Sequence, residues 1–320
     1  MKNKYILGLN YGEFNSSACL LKDGEIKIAI QEERLSREKF TKKFPILSIK
    51  KIFEEEKLNL SDISYVTVGW DPSKHMIRYN PLISSFRSLR EHNFYTVSDN
   101  LLNLNNKRDL GTYTKLEHDQ KNFPKIYHVN HHLSHAANGF FLSNFKAASI
   151  LTCDFRGEYE STTFNLGNGN KINKIESHNL PNSLGKLYAT FTELLGYKSD
   201  NDEWKIMAMS GYDYDCKDEI RKIKKCYNLS QNGKFELISK YFENSDLGGS
   251  SHHYSNQLLD LFNINKVIYK SKPSRKQIKI AKALQICSEE IALHFLNHLY
   301  KLTKNKNLVV SGGFFLNTRS

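Results

Sequence analysis

Apolar and polar positions alternate with the rhythm of strands over the first thirty residues. Tyr5 to Asn10 reads as a strand, followed by a small-residue turn from Tyr11 to Ser17. Ala18 to Lys22 and Glu25 to Glu32 read as two further strands. Asp23-Gly24 joins them, a pair suited to a two-residue hairpin because both positions tolerate positive φ. The period then changes. Ile46, Ile49, Ile52 and Phe53 recur at helical spacing with Pro45 as a first helical residue, and Tyr65 to Trp70 returns to a strand. Residues 72–124 are polar and weakly periodic, and read as an insertion of mixed helix and loop. Such stretches tend to be functional, with a plain surface excursion as the alternative.

The opening plan then recurs. Ala148 to Cys153 predicts a strand, Asp154-Phe-Arg-Gly-Glu158 an acidic turn, and Ser161 to Leu166 a second strand closed by Asn168-Gly169 into Lys171 to Ser177. Helices are predicted at Leu184 to Leu195, at Asp215 to Tyr227 and at Arg275 to Lys301. The last opens with a Ser274-x-x-Gln277 capping box. Leu308 to Val310 reads as a buried strand ahead of Gly312-Gly313. The pattern predicts an α/β fold of two lobes, residues 1–146 and 147–320, each a β-meander with helices, and a ligand-sized cleft between them.

Composition narrows the class. Of 320 residues, 39% are hydrophobic and 25% charged, which suits a globular chain long enough for two lobes. Five cysteines, an odd number without a C-x-x-C pair, suggest neither a disulfide framework nor a zinc ribbon, and fit a reducing cytoplasm. The apolar run Tyr5 to Leu7 is too short for a signal peptide, and no run nears the ~20 residues of a membrane span. The net charge is 46 − 34 = +12, but the lysines are scattered. Arg221 to Lys225 and Lys270 to Lys276 are local clusters that read as solvated helix faces or ends, so no nucleic-acid partner is expected.

Candidate chemistry gathers in a few places. His131 and His135 would stand one turn apart if a helix begins near Leu133, a spacing that lets two imidazoles share a transition metal; capping or core histidines are the alternative. Asp154, at the end of a strand predicted to be buried, is costly unless it coordinates or pairs. Two imidazoles and a carboxylate suit iron, zinc or manganese, and could polarise a carbonyl or phosphoryl oxygen. Gly157, Gly185 and Gly312-Gly313 follow strands or open helices, where backbone N–H groups can cradle phosphates, although most glycines serve turns alone. Glu32 to Lys39 is a dense charged run, either functional or a solvated helical start. Glu203 to Met209 mixes charge with Trp204 and two methionines, which ordinary packing would explain.

Taken in order, Ile6-Leu-Gly-Leu-Asn10, Ser16-Ser-Ala18, Gln31-Glu-Glu-Arg34, His131-His-Leu-Ser-His135-Ala-Ala, Cys153-Asp-Phe-Arg-Gly-Glu158, Ser183-Leu-Gly-x-x-Tyr188 and Ser311-Gly-Gly-x-x-Leu-Asn317 resemble the nodulation-protein-U and antibiotic O-carbamoyltransferase family. The resemblance covers essentially the whole chain. It implies a two-lobed actin-like ATPase-type (ASKHA) fold and an ATP-dependent reaction. A YrdC-type domain joins carbamoyl phosphate to the α-phosphate of ATP, and the actin-like domain moves the carbamoyl group from carbamoyl-adenylate to a hydroxyl of a small molecule or glycan. Carried over by motif, His131, His135 and Asp154 are metal ligands. Gly312, Gly313 and Asn317 lie along the adenosine, and Lys39, Gly157, Glu158 and Lys205 lie near the phosphates or carbamoyl group.

Two departures follow. The family's first-turn His is replaced by Gly12-Glu13-Phe14-Asn15, which leaves Glu13 as the candidate base. Family members also continue past Ser320 with a further metal-binding Asp and the YrdC-type domain. The expectation is therefore a transfer half, inactive by itself, incomplete at its C-terminus, and served by that domain in cis or in trans. The rivals are a tRNA threonylcarbamoyl transferase-like enzyme, which the positive charge would suit, and a non-catalytic nucleotide-binding module.

Overall fold

A computed structural model describes residues 4–12, 15–71, 96–98, 100–101, 123–243, 252–265 and 272–319. Glu13 and most of the expected 72–124 insertion lie outside the described residues. Contacts divide the chain into two compact units, Met1–Ser134 and His135–Ser320.

In the first unit, β1 (Tyr5–Asn10), β2 (Ser17–Lys22) and β3 (Glu25–Gln31) form an antiparallel meander, and β4 (Ile63–Val68) and β5 (Lys125–His128) add parallel strands in the order β3-β2-β1-β4-β5. The Asp23-Gly24 turn has φ of 52° and 92°, as the hairpin pair predicts. Leu7 and Leu9 of β1, Leu20 of β2, and Val66 and Val68 of β4 point into one core, which Ile49 and Ile52 of helix α2 (Ile46–Glu56) close. Each such side chain contributes roughly 1.5–3 kcal/mol by leaving water. The strand expected to run through Glu32 stops at Gln31, and Glu32 begins the short helix α1 (Glu32–Ser36). Its carboxylate is buried and accepts from the Leu47 and Ser48 N–H groups and the Ser48 hydroxyl at 2.7–3.0 Å. A long-range anion thus satisfies the otherwise unpaired amides at the start of α2.

The second unit repeats the order. β6 (Ala147–Cys153), β7 (Glu160–Asn168) and β8 (Lys171–Asn179) form the meander and β11 (Leu308–Ser311) pairs parallel to β6, giving β8-β7-β6-β11. Helix α4 (Leu184–Leu194) and the 29-residue α8 (Arg275–Thr303) pack on it through Leu187, Phe191, Ala281, Leu284, Ile291 and Phe295. The Ser274–Gln277 capping box is formed in both directions. Helix α3 (His131–Phe141) carries the boundary between the units within its first turn and starts two residues earlier than expected.

Two expectations are corrected here. The helix expected from Asp215 to Tyr227 is α6 (Lys217–Ile223), and Tyr227 starts a hairpin of β9 (Tyr227–Ser230) and β10 (Lys234–Leu237). Asn232 and Gly233, with φ of 61° and 68°, make its turn. Glu203–Met209 is a full helix, α5, and Asn256–Phe262 forms α7. In β11 only Val309 is buried, while Leu308 and Val310 are 45% and 41% exposed. β11 lies at the edge of its sheet among the described residues, so alternation decides which face is covered.

Candidate metal centre

The second unit builds its site at the end of β6. There the chain turns at Asp154, with Gly312-Gly313 after β11 on one side and the start of α4 on the other. Ser183, the N-cap of α4, accepts from the Lys186 N–H at 3.0 Å, and its hydroxyl lies 3.0 Å from the Asp154 carbonyl and 2.7 Å from that of Phe155. A Cβ on Gly185 would come within 2.4 Å of the Phe155 nitrogen, so glycine there lets the helix meet the turn backbone to backbone. Gly312 has φ +104°, and a Cβ on it would lie 2.3 Å from the Cys153 carbonyl oxygen.

Asp154 is buried, 8% exposed, and both carboxylate oxygens are engaged. Oδ1 accepts the Phe155 N–H at 2.8 Å, and Oδ2 accepts the Gly313 N–H at 3.2 Å and lies 2.9 Å from His135 Nε2. His131 stands one turn before His135 on the same uninterrupted helix, so the placement of that pair comes from α3 itself. The Nδ1 of His131 lies 3.3 Å from the Gly69 carbonyl, which can only accept, so a neutral ring bonded there turns Nε2 to a metal. One ligand atom each from His131, His135 and Asp154 can be chosen with all three within 4.8 Å of one another, the only such group among the described residues. Two imidazoles and a carboxylate, partly buried, with His131 held through Nδ1 and Asp154 through Oδ1, fit a divalent transition metal.

The other sequence candidates are not members of this group. Gly157 and Glu158 are buried in the turn between β6 and β7, where the Gly157 N–H donates to the Glu160 carbonyl. Asn317 forms a reciprocal amide pair with Gln285 at 2.8 and 3.3 Å, and Gln285 also accepts from the Tyr188 hydroxyl at 3.2 Å. Lys205 of α5 meets Asp202 at 2.8 Å and lies over the rings of Trp204 and Tyr197. Its helix neighbour Glu203 is pushed up to about 7 by burial. Lys39 is exposed beyond α1. Two further charged residues stand on α4, Lys186, 1% exposed in its first turn, and Glu193 at its far end. Neither position carries a local signal of its surroundings.

A family model described as "Carbamoyltransferase N-terminus" matches residues 5–320. An uncharacterized protein of Synechocystis is 28% identical over 98% of this chain and 51% of its own length. Nodulation protein NolNO of Sinorhizobium fredii is 28% identical over 93% of this chain and 40% of its own. The chain thus spans about half the length, or less, of these two curated relatives. Among solved structures, a ROK hexokinase from Thermus thermophilus covers 98% of the chain at 10% identity with a TM-score of 0.36, a likeness too slight to carry an argument.

Proposed function

The chain belongs to the carbamoyltransferase N-terminal family, and from that premise we propose that it supplies the transfer half of an ATP-dependent O-carbamoyltransferase with an actin-like fold. The donor is carbamoyl-adenylate, and the acceptor a hydroxyl of a small molecule or glycan. A YrdC-type domain, in cis or in trans, makes the donor from carbamoyl phosphate and ATP, and the reaction takes place in the cytoplasm. The repeated 3-2-1-4 strand order of the two sheets supports the fold. The observation that carries the function is the His131, His135 and Asp154 group at the end of β6, within a chain matched by the family model along its length.

In the transfer, the acceptor oxygen attacks the carbamoyl carbon and a C–O bond forms. The bond from that carbon to the adenylate phosphate oxygen breaks, AMP departs, and the hydroxyl proton passes to a base. A divalent metal held by His131, His135 and Asp154 supplies Lewis acidity. Glu13 is the proposed base. Lys39 and Lys205 offer positive charge to the phosphate and carbamoyl oxygens. Gly157 and Glu158 frame the turn beside the centre, and Gly312, Gly313 and Asn317 line the adenosine. The Gly313 N–H, already donating to Asp154, ties the glycine turn to the metal-binding carboxylate.

Synthetic carbamoyl-adenylate, presented with the metal-loaded chain and a panel of sugars, aminoglycosides and glycans, tests this reading. AMP release matched by the mass gain of one carbamoyl group on an acceptor supports it. Binding of ATP and carbamoyl-adenylate without turnover would favour a nucleotide-binding module. Modification of tRNA alone would favour the threonylcarbamoyl branch.

A further inference from the structure

The strand-like segment at Phe242 is met by residues 252–255, brought back beside it. Phe242 and Tyr254 form an antiparallel bridge, the Glu243 N–H donates to the His253 carbonyl at 2.9 Å, and the Ser255 N–H donates to that of Tyr241 at 3.2 Å. What fixes this segment from the other side is one carboxylate. Glu193, near the end of α4, accepts from His252 Nδ1 at 2.6 Å through Oε1 and from the His253 N–H at 2.7 Å through Oε2. Its side chain is 17% exposed, so the bonds are sheltered from much of the solvent that weakens surface pairs. The His252 ring stacks on Tyr254, which removes another freedom from the segment.

The His253 ring is thereby set edge-on against Phe155, with centroids 5.5 Å apart and planes at 61°. Phe155 follows Asp154, and its N–H donates at 2.8 Å to Asp154 Oδ1. The other end of α4 already holds the same turn through Ser183 and Gly185. One helix therefore grips the Asp154 turn twice, directly at its start and through His253 near its end.

We propose that Glu193 is a positioning residue for the metal centre: it holds His253 against Phe155 and so fixes the orientation of the Asp154 carboxylate. The proposal rests on the reading of His131, His135 and Asp154 as metal ligands. Partners one step removed from a ligand commonly change metal affinity by about 10- to 100-fold. A group acting two contacts away belongs at the lower end of that range.

The test titrates Co(II) into the full chain and into Glu193→Ala, Glu193→Asp and His253→Leu, and follows the Co(II) visible spectrum, thermal melting, and amide exchange at Phe155. Glu193→Ala should bind Co(II) about tenfold more weakly, with an altered spectrum and faster Phe155 exchange. Glu193→Asp should recover part of the affinity. His253→Leu, which leaves the Glu193 bond to the backbone in place, should weaken Co(II) binding in the same direction, and it carries the test if Glu193→Ala does not fold. Wild-type Co(II) affinity and unchanged Phe155 exchange in the folded variants would overturn the proposal while leaving the metal centre intact. If the wild-type chain binds no Co(II), the metal reading fails, and Phe155 exchange decides: acceleration in the variants upholds the positioning of the turn, and no change refutes it.

Discussion

β1 and β6 hold the same place in sheets of the same strand order, with an antiparallel neighbour on one side and a parallel one on the other. β1 ends on Asn10, whose side-chain amide donates to the Asn15 carbonyl at 2.8 Å and serves its own turn. β6 runs into Asp154, whose carboxylate is buried and answered by His135, the Phe155 N–H and the Gly313 N–H. The shared scaffold sets where a strand-end side chain points. The identity of that residue, and what the neighbouring helix and glycine turn bring to it, decide whether it closes a loop or builds a site.

The largest test of that difference concerns the glycines. Gly312→Ala places a methyl group 2.3 Å from a carbonyl oxygen at φ +104°, and should cost about 3 kcal/mol or more in urea unfolding. Gly24→Ala, at φ +92° with open space around it, should cost only about 1 kcal/mol. Equal losses would break the contrast between the site turn and the plain hairpin.

Acid should act next. β8 carries His178 against Phe164 and Phe295, whereas its counterpart β3 has no histidine. Burial first, and the neighbouring His298 second, push His178 down from 6.5 to about 4. The unfolded chain then binds the extra proton between those values. The stabilisation is therefore complete above about pH 6.5 and is lost as the pH falls toward 4, by about 3 kcal/mol. His178→Gln should flatten this slope in unfolding curves taken across that range.

Smaller effects isolate the strand ends. Asp154→Asn should weaken divalent-metal binding by about 100-fold, near 2.7 kcal/mol. Asn10→Ala should leave metal binding untouched and cost about 1 kcal/mol of stability. Ser183→Ala removes the α4 cap and should cost about 1 kcal/mol in thermal unfolding.

What could be read beforehand was whatever a few adjacent residues decide. Asp23-Gly24, the Ser274–Gln277 capping box and the buried face of α4 follow from local steric and hydrogen-bonding rules. The His131 and His135 pair follows from helical spacing. Asn232-Gly233 is an equally local hairpin signal, and it competes with the basic run before it, whose pattern favours a longer helix. Burial of β11 is not legible in its apolar run, because exposure depends on where the strand sits in its sheet. Glu32 reaching the start of α2, and Glu193 holding residues sixty positions away, depend on tertiary contacts with no counterpart in the neighbouring sequence.

The central claim is that the end of β6, and not the end of β1, holds a metal. It is tested most directly by measuring tightly bound divalent metal in the purified wild-type chain, His131→Ala and Asn10→Ala. About one equivalent is expected in wild type and Asn10→Ala, and near none in His131→Ala. Equal occupancy in wild type and His131→Ala, whether full or near zero, would contradict it.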